Sequence, residues 1–195
     1  STAGSPPPDF PIHAQSSFGS FQPCSEQAIS QLIRASAAKS CDLDPMPTFI
    51  VKECVDDLSP FMTRMCNASI SEGCFPASQK ESIVIPALKK HDLDPMEMKN
   101  YRPISNLAFT SKLVEKVVFS QLSGYLADNN LWPKLQSGFR QFHSTESAVL
   151  KVVSDICAAV DQGNVALLAL LDVSAAFDTV DHAIMLQRLS QSYGV

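Results

Sequence analysis

Long apolar runs are missing from this sequence. The longest, Val165 to Leu171, falls far short of the ~20 residues that a helical membrane span needs. Residues 1–20 contain no Lys or Arg, so the basic head of a secretory signal is also missing. An intracellular protein of nucleus and cytoplasm, with no membrane partner, is the expectation. Glycine is scarce, at 7 of 195 residues, and no segment repeats, which excludes collagen-like chains and solenoid arrays. None of the six cysteines forms a C-x-x-C pair, so a zinc knuckle is not expected. With no secretory signal to support disulfides, the thiols are expected to be reduced and mostly buried.

What is present suffices for a core. The chain is 45% hydrophobic and only 18% charged, too apolar for wholesale disorder. Residues 1–24 are the exception. Pro6-Pro7-Pro8, Pro11 and Pro23 stand among small and polar residues with Asp9 as the one charge, so a disordered linker is expected there, with some element preceding it. The net charge of −5 argues against a nucleic-acid binder until its distribution is considered. Between Lys80 and Lys151 lie 10 of the 15 Lys and Arg but only 7 of the 20 Asp and Glu. A basic middle inside an acidic chain suits phosphate contact, although solvated surface scatter accounts for it as well.

The periodicity predicts helix-rich α+β architecture. Ser25 suits an N-cap for a helix bearing Ile29, Leu32 and Ile33. A second helix is expected over Thr48–Ile70, kinked at Pro60 and stopped by Gly73. Ser82–Leu88 and Arg102–Leu107 are expected to pair as short strands. Helices are expected over Ser111–Asp128, over Thr145–Asp161, and from near Ala175 onward. Val165–Val173 reads as a strand buried on both faces and ending on Asp172.

A carboxylate closing a buried strand needs a reason, because an unpaired buried charge is costly. Asp172, Asp178 and Asp181 form an acidic cluster of the kind that oxygen-seeking divalent cations use. Asp178 and Asp181 also suit the first turns of a helix, where carboxylates meet the positive end of its dipole.

The run Leu171-Asp172-Val173-Ser174-Ala175-Ala176-Phe177-Asp178-Thr179-Val180-Asp181-His182 resembles the first catalytic motif of reverse transcriptases of non-LTR (LINE-type, jockey-like) retrotransposons. The resemblance extends upstream in order. It includes Pro86-Ala87-Leu88-Lys89-Lys90, Asn100-Tyr101-Arg102-Pro103-Ile104-Ser105-Asn106-Leu107, Lys112 with Glu115-Lys116, Gln136-Ser137-Gly138-Phe139-Arg140 and His143-Ser144-Thr145-Glu146. Cys41-Asp42-Leu43-Asp44-Pro45-Met46-Pro47 and Gly73-Cys74-Phe75-Pro76 resemble that family's N-terminal extension.

The resemblance implies a helical N-terminal extension over 25–79, then the fingers and a truncated palm of a right-hand polymerase over 80–195. The palm would be represented by one buried strand. It implies RNA-directed DNA synthesis from dNTPs on an RNA template with a DNA primer, two Mg2+ ions (or Mn2+) as cofactors, and an upstream endonuclease in the parent polyprotein. Asp172 would bind both ions with help from the Val173 carbonyl. Phe177 would lie under the incoming sugar and exclude a 2′-hydroxyl. Arg102 would grip the triphosphate with its planar fork, assisted by Lys89 or Lys90. Gln136, Gly138, Phe139 and Arg140 would lie near the template. The family's second carboxylate pair has no counterpart after Asp172; the one Asp-Asp, Asp56-Asp57, lies upstream. The isolated chain is therefore expected to have little polymerase activity. The alternative is a non-catalytic remnant that binds RNA or protein through the basic middle.

Overall fold

A computed structural model describes residues 16–39, 41–173 and 176–195. The described residues divide into two compact units, one within 18–125 and one of residues 16–17 with 126–195. Most of the linker expected over 1–24 lies outside the described residues. Its described end is not free chain. Gln22 and Gln121 exchange hydrogen bonds of 2.8 Å through main-chain and amide groups, and Asn67 does the same for both main-chain groups of Cys24.

The first unit is built on α1 (Glu26–Ala35), α2 (Thr48–Glu53), α3 (Val55–Glu72), β1 (Ser82–Leu88), β2 (Tyr101–Leu107) and α4 (Phe109–Asp128). Ser25 caps α1 as expected, its hydroxyl accepting from the Ala28 N–H. Ile29 and Ile33 of α1 pack with Val51, Val55, Cys66, Phe109, Leu113, Val114 and Val117 into one apolar core. The helix expected from Thr48 does break, but at Cys54 and not at Pro60. Cys54 leaves helical geometry (φ −94°, ψ 23°), which sets Asp56 and Asp57 in the first turn of α3, where the dipole favours them. Pro60 then lies in the second turn and forfeits one hydrogen bond without ending the helix. Gly73 ends α3 in the left-handed region at φ +60°.

The N-terminus of α4 is not capped by its own flank. Asp44, from the loop after α1, accepts from the Phe109 N–H at 2.6 Å through one oxygen and from the Cys41 N–H at 3.0 Å through the other. This carboxylate joins residues 65 apart in sequence. Ser111 Oγ donates to the Gln79 carbonyl at 2.7 Å, so α4 is tied to the stretch before β1 as well. Residues on both sides of position 80 thus belong to the 18–125 unit.

β1 and β2 pair antiparallel with Pro86 opposite Pro103. The register explains how two prolines sit mid-strand. Lys89 N–H donates to Asn100 O at 2.8 Å, which makes that pair a hydrogen-bonded one. Bonded and non-bonded pairs alternate, so the proline pair occupies a non-bonded position where neither needs an inward N–H.

The second unit contains α5 (Thr145–Asp161) and α6 (His182–Tyr193). Ser144 and Ser147 form a reciprocal capping box on α5, and Gly163 follows in the left-handed region. No residue of α5 is buried. Val165–Val173 is not the buried strand expected; it is irregular and open, with Leu167 96% and Leu171 94% exposed. A strand requires a neighbour for its N–H and C=O groups. Among the described residues the one sheet is the β1–β2 pair. α6 begins at His182, later than the expected start near Ala175, because Asp181 caps it. The cysteines are free, but Cys54, Cys74 and Cys157 are exposed, contrary to the expectation of mostly buried thiols.

Two outcomes follow. Asp44→Ala should cost about 1–2 kcal/mol in urea unfolding, the range of a lost cap, while Asp42→Ala at the exposed neighbour should cost under ~0.5 kcal/mol. Burial, with Cys24 adding, pushes the Cys66 thiol from 9.0 up to about 11. The buried neutral thiol thus contributes stability that is complete below pH 9.0 and is lost as pH rises through about 11. The unfolding free energy of the wild type should fall more steeply than that of Cys66→Ala across this window.

Candidate nucleotide and template site

The three cations assigned to the triphosphate all lie at one end of the β1–β2 hairpin. Arg102 stands opposite Ala87 and is exposed. Strand alternation, carried one residue past β1 by the Lys89–Asn100 bond, puts Lys89 on the same face as Arg102. Lys90 begins the connection and is exposed. The Lys89 ammonium donates back to Lys99 O at 2.7 Å, which holds it against the connection. That connection is shaped by Asp94, whose carboxylate accepts from the Met96 N–H and whose carbonyl accepts from Asn100 Nδ2, both at 2.9 Å. Tyr101 Oη donates to Pro95 O at the same distance. The hairpin end is thus a braced cationic tip.

The residues expected near the template lie in the second unit, on the loop leading into α5. Gln136 Nε2 donates to Gly138 O at 3.0 Å and Arg140 Nη1 to Pro133 O at 3.2 Å, so both side chains fold back on their own loop. Phe139 (φ 58°) and Phe142 (φ 62°) occupy the left-handed region, which costs bulky residues ~1–3 kcal/mol and concentrates at functional sites. Gly138 has no such need: a methyl at its Cα would meet nothing within 4 Å, so its small size leaves open surface beside Phe139. A depression of about 460 Å³ runs from Ser137 to Ala148 along this loop.

Phe177 joins this group. Its ring meets Phe139 edge to face, with centroids 6.4 Å apart and planes at 78°. Both rings remain largely exposed. The sequence marked these two residues separately, one for template and one for sugar; it gave no sign that they touch. It also passed over Phe142, whose positive φ is invisible in residue identity.

The acidic residues do not converge. Asp172 and Val173 lie on the open segment, and Ser174 and Ala175 fall outside the described residues. Asp178 sits in the turn Ala176–Thr179, which Thr179 Oγ1 closes by donating to Ala176 O. Asp181 caps α6, one oxygen accepting from the Ala183 and Ile184 N–H groups at 3.0 and 3.1 Å. Its helix-cap role is therefore the one realised. No group of three His, Cys, Asp or Glu able to hold a metal occurs among the described residues. One exposed carboxylate with a neighbouring carbonyl does not make the donor set that two Mg2+ ions require. Near α5, hydrogen bonding from Ser144 and the main chain holds the Glu146 carboxyl below its usual range.

Residues 88–192 match the reverse transcriptase (RNA-dependent DNA polymerase) family. The RNA-directed DNA polymerase from mobile element jockey of Drosophila melanogaster is 28% identical over 138 residues, covering 71% of this chain and 15% of that protein. The probable RNA-directed DNA polymerase from transposon X-element of the same organism is 27% identical over 172 residues, covering 88% of this chain and 19% of that protein. The corresponding protein from transposon BS is 27% identical over 133 residues, 68% of this chain and 15% of its own length. The chain thus spans under a fifth of each of these relatives.

Titrating the 195-residue chain with Mn2+ and following heat should show no site tighter than on the order of millimolar, the level of an isolated carboxylate. A micromolar site abolished by Asp172→Asn would show that donors converge on Asp172 after all.

Proposed function

The chain belongs to the reverse transcriptase (RNA-dependent DNA polymerase) family, and from that premise we propose that it is the nucleotide- and template-holding segment of a non-LTR retrotransposon RNA-directed DNA polymerase. The observation that carries this reading is the ordered match over residues 88–192, which spans the cationic hairpin tip, the template loop and Asp172.

Arg102 and Lys89 hold the triphosphate of an incoming dNTP. Their shared face supports Lys89 over Lys90, and the braced tip lowers the entropy cost of fixing them. Arg102 supplies the planar fork and Lys89 a point charge. Phe177 blocks a 2′-hydroxyl, and its contact with Phe139 lets the template loop set the position of that ring. Gln136, Gly138, Phe139 and Arg140 receive the RNA template: Phe139 offers an exposed ring for a base, and Arg140 a charge for the backbone. Asp172 contributes one carboxylate to the divalent-metal site of the polymerase, a site that the described residues do not complete.

Holding RNA without turnover is favoured for the isolated 195 residues by that incomplete donor set. The chain should bind single-stranded RNA with an affinity that falls as salt rises. Arg102→Glu with Arg140→Glu should weaken binding by about tenfold or more, and Asp172→Asn should leave it unchanged. With Mg2+, dNTPs and a primed RNA template it should give no extension. Extension that Asp172→Asn abolishes would overturn the one-carboxylate assignment, and salt-independent RNA binding would overturn the template assignment.

A further inference from the structure

The first unit has a cleft of about 540 Å³ beside the C-terminal end of α1 and along α4, and it uses none of the residues assigned above. Its floor is apolar: Phe119, 59% exposed, lies over Phe109 and Leu113, which are buried in the core. Its rim carries Lys39, Lys112 and Lys116, against one acid, Glu115.

Lys112 and Lys116 are positioned but not paired with an acid. Lys112 Nζ donates to Asn106 Oδ1 at 2.9 Å and Lys116 Nζ to Ser36 Oγ at 2.7 Å. Lys52 Nζ joins them, donating to the Ser36 carbonyl at 2.8 Å. All three acceptors are neutral, so each ammonium is held in place without an acidic partner. The ion pairs found among the described residues, Arg34–Asp56, Lys99–Glu97 and Lys151–Asp155, involve none of the four. In a chain of net charge −5, lysines unpaired with acids around an apolar floor form a surface complementary to an acidic ligand with an apolar anchor.

We infer that this cleft docks a short acidic peptide segment of another protein, a Leu or Phe side chain seated against Phe119 and flanking Asp or Glu carboxylates on Lys39, Lys112 and Lys116. The mostly apolar lining selects this occupant over a nucleic-acid backbone, which has charges for the rim but nothing to cover the floor.

The test pans a phage-displayed library of random short peptides against the 195-residue chain. Enriched peptides should pair a large apolar residue with flanking Asp or Glu. Their affinity should fall by about tenfold or more with Lys39→Glu and with Phe119→Ser. Both sites are exposed, so circular dichroism should show unchanged folding; Lys112→Glu should act in the same direction. Enrichment without acidic residues, or binding indifferent to both exposed-site variants, overturns the assignment. So does a uridine-rich RNA oligomer that binds through Lys39 and Phe119 while no peptide does.

Discussion

The Asp44 carboxylate is the tie on which the 18–125 unit depends. A helix the length of α4 begins with four N–H groups that need partners, and the turn out of β2 supplies no side chain for the first of them. Asp44 reaches in from the loop after α1 and meets that need while holding its own loop through Cys41. Cys41 Sγ in turn contacts Asn106 O at the end of β2. Helix start, loop and strand end are therefore fixed together. The core beneath, from Ile29 to Val117, can close because α1 and α4 are held in register by polar contacts at its margin.

Much of this was legible in the residues. Ser25 and Gly73 announced helix ends because capping chemistry is local. The hairpin was legible from its β-branched run, but its register, with Pro86 opposite Pro103, was not. The Asp44 cap was not legible, since residue identity says nothing of a partner 65 positions away. The break at Cys54 was hidden behind Pro60, the louder signal. Val165–Val173 misled for a different reason: apolarity says that a segment gains by burial, but not what it is buried against.

The candidate site divides along the same line. Residue types selected the cationic tip, the template loop and Asp172, because triphosphates, bases and metals need particular groups. Geometry added what types cannot show: the Phe139–Phe177 contact and the shared face of Lys89 and Arg102. The two units also differ in how far they satisfy their own apolar residues. One encloses a core; the other leaves the Val and Leu side chains of α5 and of 165–173 open to water.

The facing prolines of the hairpin have one more consequence. At a non-bonded position, main-chain groups point away from the partner strand, toward the outer edge of the ribbon. Pro86 thus removes the central outward donor from one edge and Pro103 removes it from the other. A foreign strand sliding against either side would find a gap in the row of N–H groups that it must match. An exposed two-stranded ribbon with Val84, Ile85 and Ile104 on its surface would otherwise invite stacking into larger sheets. The same two rings that let the hairpin pair with itself keep it from recruiting a third strand.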